Sequence, residues 1–194
     1  MDRTVSTVED TAIAVNVFRK VQLMDYKWKY HTPDGFDDMV MSSDGEYLTG
    51  LWFECSKYVS GKVLAGEERE LSIFRETARW LDTYFGGQEP DFTPAYRMEN
   101  LTSFRQEVVD IMNRIPFGDT VTYGEIAKEI AKTRGLKRMS AQAVGGAVGW
   151  NPICIIVPCH RVVGTDGSLT GYGGGIENKA ALLAHEKKQQ CQDV

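Results

Sequence analysis

An apolar stretch, Ile153-Cys154-Ile155-Ile156-Val157, runs directly into Pro158-Cys159-His160-Arg161 and resumes as Val162-Val163. β-Branched residues on both sides call for burial, and the proline fixes the backbone between them. A cysteine and a histidine are thereby held side by side. A thiol attacks only as thiolate, and a free cysteine with a pKa of about 8.5 is mostly protonated at neutral pH. An adjacent base or cation changes that balance, so the pair reads as a held nucleophile. Plainer roles compete. A buried cysteine often serves only as a small hydrophobe, a description that suits Cys154, which has no polar neighbour. A metal site on Cys154, Cys159 and His160 lacks both the paired spacing and the fourth ligand that zinc needs. The haem spacing Cys-x-x-Cys-His is missing, and His31, Cys55 and Cys191 stand alone. No metal and no cofactor is expected.

The 194 residues suit one domain or two small ones. Gly86-Gly87-Gln88-Glu89-Pro90, followed by Pro94, marks 86–100 as a linker. The division predicted is an N-terminal α/β domain over 1–98 and a C-terminal domain over 99–194. The net charge of −5 argues against a polyanionic partner until its distribution is read. Residues 1–98 carry 17 acids and 11 bases, a net of −6, and residues 99–194 carry 10 acids and 11 bases, a net of +1. Lys128, Lys132, Arg134, Lys137 and Arg138 cluster, with Glu129 the only acid among them. Local potential rather than net charge attracts a polyanion, although such a run is also what a solvated face looks like. No apolar stretch approaches the roughly 20 residues of a membrane span. Glu9 and Asp10 stand where a secretory signal would be apolar. Four scattered cysteines do not form a disulfide framework. A cytoplasmic monomer is the expectation.

In the first half, Tyr26-Lys27-Trp28-Lys29-Tyr30 alternates as a half-buried strand does, Ser43-Asp44-Gly45 is a turn, and Tyr47 to Phe53 is rich in strand formers. Leu71 to Phe85 reads as a helix with Leu71, Phe74, Thr77/Ala78 and Leu81 on one face. In the second half, Ser103 and Gln106 form a capping-box pattern ahead of a helical face, Phe104, Val108, Ile111/Met112 and Ile115, that ends at Pro116-Phe117-Gly118. Thr122 and Glu125 repeat the pattern before a helix with Ile126 and Ile130 on one side. Ser140 is the predicted N-cap of a third helix, Ala141 to about Val148, with a Met139–Val144 staple. That helix contains Gly145-Gly146, which cost about 1 kcal/mol each relative to alanine. Small residues let a helix approach another surface closely. Two short helices joined by a basic turn resemble a helix-turn-helix.

Ile156 to Val163, preceded by Ala143-Val144-Gly145-Gly146-Ala147 and Asn151-Pro152, resembles the O6-alkylguanine-DNA alkyltransferases, the methylated-DNA–protein-cysteine methyltransferases. The likeness extends through Pro116-Phe117-Gly118, Val121-Thr122-Tyr123, Gly171-Tyr172-Gly173-Gly174 and Leu182-Leu183-Ala184-His185-Glu186. It is dense over about 101–187 and loose in the first half, where it rests on Asp44-Gly45, Leu51 and Tyr84-Phe85-Gly86. It implies a ribonuclease-H-like mixed sheet domain followed by a helix-turn-helix alkyltransferase domain. It also implies stoichiometric repair of DNA: Cys159 takes the alkyl group from O6 of guanine, with O4-alkylthymine a second substrate, and is not regenerated.

By the same resemblance, His160 is the base, acting through a water, Glu186 holds and polarises it, and Asn151 fixes the turn into the active-site strand. Tyr123 lies against a DNA phosphate and hydrogen-bonds the leaving guanine. Tyr172, Val157, Gly173 and Gly174 line the base pocket. Thr122, Lys137, Arg138, Ser140, Gln142, Ala143 and Gly146 face double-stranded DNA, with the thin helix in the minor groove. The damaged base is turned out of the duplex to reach the protein, so the sulfur has to be reachable from the groove-facing helix. Many relatives carry arginine where this chain has Gln142, which lacks the cation and planar stack of a guanidinium.

Other roles remain open on the residues alone. Glu186 also fits a surface helix, His185 a partly exposed helix position, and Arg161 a structural anchor. Tyr172-Gly173-Gly174-Gly175 lacks the lysine and the strand-to-helix setting of a phosphate loop. Three rival functions are a lesion-binding protein that does not repair, a helix-turn-helix regulator and a cysteine hydrolase. The first replaces the cysteine, the second needs a further domain, and the third needs an oxyanion loop that is not legible.

Overall fold

The structure, a computed structural model, describes residues 25–59 and 61–190. Glu9, Asp10 and Cys191, with the outer ends of the two expected domains, lie outside the described residues. Strands β1 (Tyr26–Tyr30), β2 (Met39–Ser43) and β3 (Leu48–Phe53) form an antiparallel meander, and the short β4 (Glu67–Glu68) adds parallel to β1. The sheet order is β3-β2-β1-β4. This mixed sheet agrees with the expected α/β half, while the finer ribonuclease-H-like label rests on the resemblance alone. β2 is buried along its whole length. Its polar end is satisfied locally: Ser42 Oγ meets Thr49 Oγ1 at 3.0 Å, and Ser43 Oγ accepts from Gly45 N–H at 2.9 Å. Gly45, at φ +106°, makes the β2–β3 turn in a conformation that favours glycine.

A short helix α1 (Gly61–Leu64) precedes β4, and α2 (Ser72–Phe85) covers the sheet with Ile73, Phe74, Thr77, Trp80, Leu81 and Tyr84. The expected linker is docked rather than loose. Leu48 N–H donates to Ala95 O at 3.0 Å and Arg97 N–H to Leu48 O at 2.9 Å, which extends the β3 edge.

The second half holds α3 (Ser103–Met112), β5 (Val121–Thr122), α4 (Tyr123–Thr133), α5 (Ala141–Gly149), β6 (Val162–Val163) and α6 (Ile176–Gln190). Two expectations need correction. The cap of α3 is Thr102, whose side chain accepts from Arg105 N–H at 3.3 Å. Gln106 instead donates to Asp110 one turn on, so no reciprocal box forms. That helix also ends at Met112, so Ile115 is buried in the following turn rather than on the helix. The Thr122–Glu125 capping box is present in both directions, and Ser140 caps α5 through Ala143 N–H. Val144 and Met139 both pack on the core. One buried cluster runs from Met39 and Phe74 through Val108 and Ile126 to Val157 and Leu182, so both halves share it. The junction is also bonded: Leu51 N–H donates to Pro152 O at 2.8 Å and Cys154 N–H to Leu51 O at 2.9 Å.

Candidate active site

The segment between α5 and β6 is not the active-site strand that the resemblance implies. Ile155 sits at φ +69°, where a β-branched residue is strained by about 1–3 kcal/mol. Ile156 N–H donates back to Cys154 O at 2.9 Å, and Val157 N–H to Ile153 O at 3.0 Å, so the chain coils tightly. Pro158, at φ −81° and ψ 60°, makes an inverse γ-turn closed by Cys159 N–H on Val157 O at 2.8 Å. Ile153, Ile155 and Val157 are buried because the core wraps the turn, which joins β3 only through the bridge to Leu51.

Asn151 is buried at the centre of this coil. Its Oδ1 accepts from Ile153 N–H at 3.0 Å, and its Nδ2 donates to Val157 O at 2.9 Å and to Cys159 Sγ at 3.0 Å. One side chain thus sets the turn and meets the sulfur. The neighbouring Cys154 thiol, the Asn151 amide and the Lys179 charge hold the Cys159 pKa below that of an ordinary thiol, against the opposing effect of burial. Cys159 is only 4 % exposed. The reachable sulfur that the resemblance implies is therefore not seen, because its neighbours wall it in.

Cys159–Arg161 forms a single 3-10 turn that points His160 and Arg161 inward. His160 Nε2–H donates to Glu186 Oε1 at 2.7 Å. The same oxygen accepts from Tyr84 OH at 2.8 Å and from Arg161 Nη2 at 3.0 Å. Glu186 Oε2 accepts from Gly118 N–H at 2.9 Å and Arg161 Nε at 3.0 Å. Arg161 Nη1 completes the cluster on Ile115 O at 2.7 Å. Burial would raise the Glu186 carboxyl, but His160 and Arg161 outweigh it and bring the pKa down to about 2. Burial lowers the His160 pKa despite Glu186. A neutral imidazole that donates from Nε2 keeps its lone pair on Nδ1. That Nδ1 is buried and has no hydrogen-bond partner in the protein.

Tyr123 opens α4, and the parallel pairing Val121↔Val162 and Thr122↔Val163 brings it beside the exit of the 3-10 turn. It is half-buried, its hydroxyl donates to Thr170 O at 2.7 Å, and burial followed by Cys159 raises its pKa. The Tyr172 hydroxyl is buried without a hydrogen-bond partner, and burial followed by the neighbouring Cys154 and Cys159 side chains pushes its pKa well up. Lys179 is fully buried with Nζ donating to Val162 O at 2.6 Å and Thr170 O at 3.2 Å. Burial brings its pKa down to about 8. Val157 contributes its buried side chain to the core and its carbonyl to Asn151. Gly173 and Gly174 leave no room for a side chain: a Cβ would come within 2.5 Å of Tyr58 and 2.7 Å of Phe53, respectively.

The candidate DNA face lies on one side of α5. Ser140, Gln142, Ala143 and Gly146 are exposed, while Val144, Ala147 and Val148 are buried. A Cβ on Gly146 would meet nothing within 4 Å, and one on Gly145 only the Tyr123 ring at 3.9 Å. Packing within this chain therefore does not require the glycine pair. Lys137 and Arg138 are exposed on the preceding turn and Thr122 is half-buried at its cap. Arg134 is committed elsewhere, clamped on Glu107 at 2.9–3.3 Å.

Sequence reasoning missed Tyr84 and Lys179 as members of the cluster. Tyr84 extends the buried stripe of α2 by one turn past Leu81, and a buried tyrosine hydroxyl needs a partner, which was the available signal. Nothing in the sequence marks Lys179. His185 is half-buried and donates to Tyr84 O at 2.9 Å. Among the described residues no group of three or more His, Cys, Asp or Glu side chains could hold a metal ion.

Residues 103–188 match the family model described as the 6-O-methylguanine DNA methyltransferase, DNA binding domain. A methylated-DNA–protein-cysteine methyltransferase of Haemophilus influenzae is 37% identical over 162 residues, which is 84% of this chain and 86% of that protein. One from Mycobacterium leprae is 39% identical over 78% of this chain and 87% of its own length. The solved Mycobacterium tuberculosis O6-methylguanine methyltransferase superposes with a TM-score of 0.72 at 36% identity, covering 86% of this chain and 94% of that one. A structure of Mycobacterium tuberculosis OGT in complex with DNA gives 0.70 at 35% identity, over 84% and 94% of the two chains.

Proposed function

The chain belongs to the methylated-DNA–protein-cysteine methyltransferase family and repairs DNA by moving an alkyl group onto a cysteine; we propose that Cys159 is that cysteine. The observation that carries the assignment is the Asn151 amide donating to Cys159 Sγ while the neighbouring residue His160 is held by Glu186. Asn151 stabilises the thiolate. The thiol proton passes through one water to His160 Nδ1, the nitrogen that has no protein partner. Glu186 then stabilises the imidazolium, as the carboxylate of a catalytic triad does.

The reaction is an in-line displacement. Sγ forms a bond to the alkyl carbon as the bond from that carbon to O6 breaks. The electron pair returns to the guanine, which takes a proton from the Tyr123 hydroxyl, and the proton held by His160 is returned through solvent to the tyrosinate. The thioether is stable, so each protein molecule acts once. An O6-alkyl group within stacked DNA hides the back of its carbon, so the nucleotide is turned out of the duplex. The exposed face of α5 supports minor-groove docking, since its glycines answer no internal contact. Gln142 fills the vacated stack, and Lys137 and Arg138 hold phosphates. O4-alkylthymine is a secondary substrate, and the protein acts as a cytoplasmic monomer.

The test is peptide mass mapping after incubation with duplex DNA containing O6-methylguanine. One methyl on the peptide bearing Cys159, lost in Cys159→Ser, is the expected result. Methyl on Cys55, or on Cys154 when the peptide it shares with Cys159 is sequenced by fragmentation, would overturn the assignment.

A further inference from the structure

Asn178, 4 % exposed in the first turn of α6, ties the two halves together beside Tyr172. Its Oδ1 accepts from Asp37 N–H at 3.1 Å, and its Nδ2 donates to Asp37 Oδ2 and to Gly174 O, both at 2.8 Å. Both amide hydrogens are thereby used, which fixes the side chain. The Cys55 thiol, just after β3, donates to the same Gly174 carbonyl at 3.4 Å. Burial and the Asp37 carboxylate push the Cys55 pKa up to about 11, so it stays a thiol donor at neutral pH. The loop leading to Gly174 is also wedged sterically. The Tyr58 ring fills the place of a Gly173 side chain, and a Cβ on Gly174 would meet Phe53 at 2.7 Å and Tyr172 at 2.8 Å. Asp37, Phe53, Cys55 and Tyr58 all come from the N-terminal half.

We propose that Asp37 and Asn178 form a positioning clamp through which the N-terminal half holds the Gly171–Gly175 loop and sets the width of the base pocket beside Tyr172. This deepens the function proposed above and rests on it. The acidic N-terminal half then takes part in selecting which alkyl groups are aligned with Cys159. A freed Gly174 carbonyl would let the loop shift, and a misplacement of about 1 Å can slow a reaction by two orders of magnitude. A methyl group, the smallest cargo, depends most on that wall. A benzyl group gains room from its loss.

The test compares Asn178→Val, Asp37→Ala and the conservative Asp37→Asn with the wild type. Asp37 is the exposed end of the clamp, so Asp37→Ala keeps the question answerable if Asn178→Val does not fold. Single-turnover rates at saturating DNA are measured for O6-methylguanine and O6-benzylguanine duplexes, with lesion-DNA Kd and Tm alongside. The expected result is methyl transfer slowed by about tenfold or more, Kd within about twofold, and a benzyl-to-methyl rate ratio raised by about fivefold or more. Asp37→Asn, which keeps an acceptor oxygen, should stay within about threefold of wild type. Equal slowing on both substrates in step with a lower Tm, or an unchanged ratio, would overturn the clamp alone. Absence of transfer by the wild type would overturn the parent proposal instead.

Discussion

Replacing Glu186 by glutamine removes one charge from a buried cluster where Arg161, His160, Tyr84 and Gly118 all converge. The carboxyl titrates at about 2 instead of 4.5. That difference corresponds to roughly 3 kcal/mol of folded-state stability at neutral pH. Because the folded pKa is depressed, this stability is fully present above pH 4.5 and is lost as the pH falls toward 2. Glutamine approximates the protonated side chain and also leaves Arg161 buried beside a neutral group, so about 3 kcal/mol is the smaller end of the expected cost. For a chain of this size, about 2–4 °C per kcal/mol gives a Tm lowered by roughly 6–12 °C at pH 7. Urea unfolding at pH 7 and pH 3.5 supplies the second readout. The gap between the two proteins should narrow by about 1 kcal/mol at the lower pH. A Tm within about 2 °C of wild type, or a gap that widens in acid, would refute the reasoning.

Other perturbations separate stability from repair. Gly146→Ala should stabilise the fold by up to about 1 kcal/mol, because its Cβ meets nothing within 4 Å. The same variant should slow repair of duplex lesions; unchanged repair would show that α5 does not approach DNA closely. Gln142→Arg should raise lesion-DNA affinity and repair rate and steepen the salt dependence of binding by about one unit in log–log slope. If rate and affinity both fall, glutamine there is not a deficit. Asn151→Ala removes the donor to Cys159 Sγ, so the pH at which alkyl transfer reaches half its plateau should move upward. A profile that keeps its midpoint while only its height drops would assign Asn151 to the turn alone.

Legibility along the sequence followed how local each determinant is. β1 and α2 were readable because aromatic alternation and a helical stripe are properties of neighbouring residues. β2 was not, since all five of its residues are buried and no alternation remains to be seen. The resemblance implied a strand at the active-site segment, yet wrapping by the core and the Asn151 bonds impose a coil with Ile155 at positive φ. Docking of the linker on Leu48 depends on an unpaired β3 edge, which a linear reading cannot show. In the candidate site, Cys159 and His160 stood out as an adjacent thiol and base, Asn151 and Glu186 only by family resemblance, and the fold joins Asn151 to Cys159 and Glu186 to His160. Tyr84 reaches Glu186 across 102 positions, a contact that exists only after the halves meet, and Lys179 lies under Val162 by the folding of the C-terminal half on itself.

The central claim is that Cys159 accepts one alkyl group per protein molecule and then stops. Titrating the protein with about a tenfold excess of O6-methylguanine duplex, and counting restored guanine at completion, addresses it directly. The expected result is a plateau at one guanine restored per protein, and none for Cys159→Ser. Guanine restored beyond that equivalence, or by the serine variant, would contradict it.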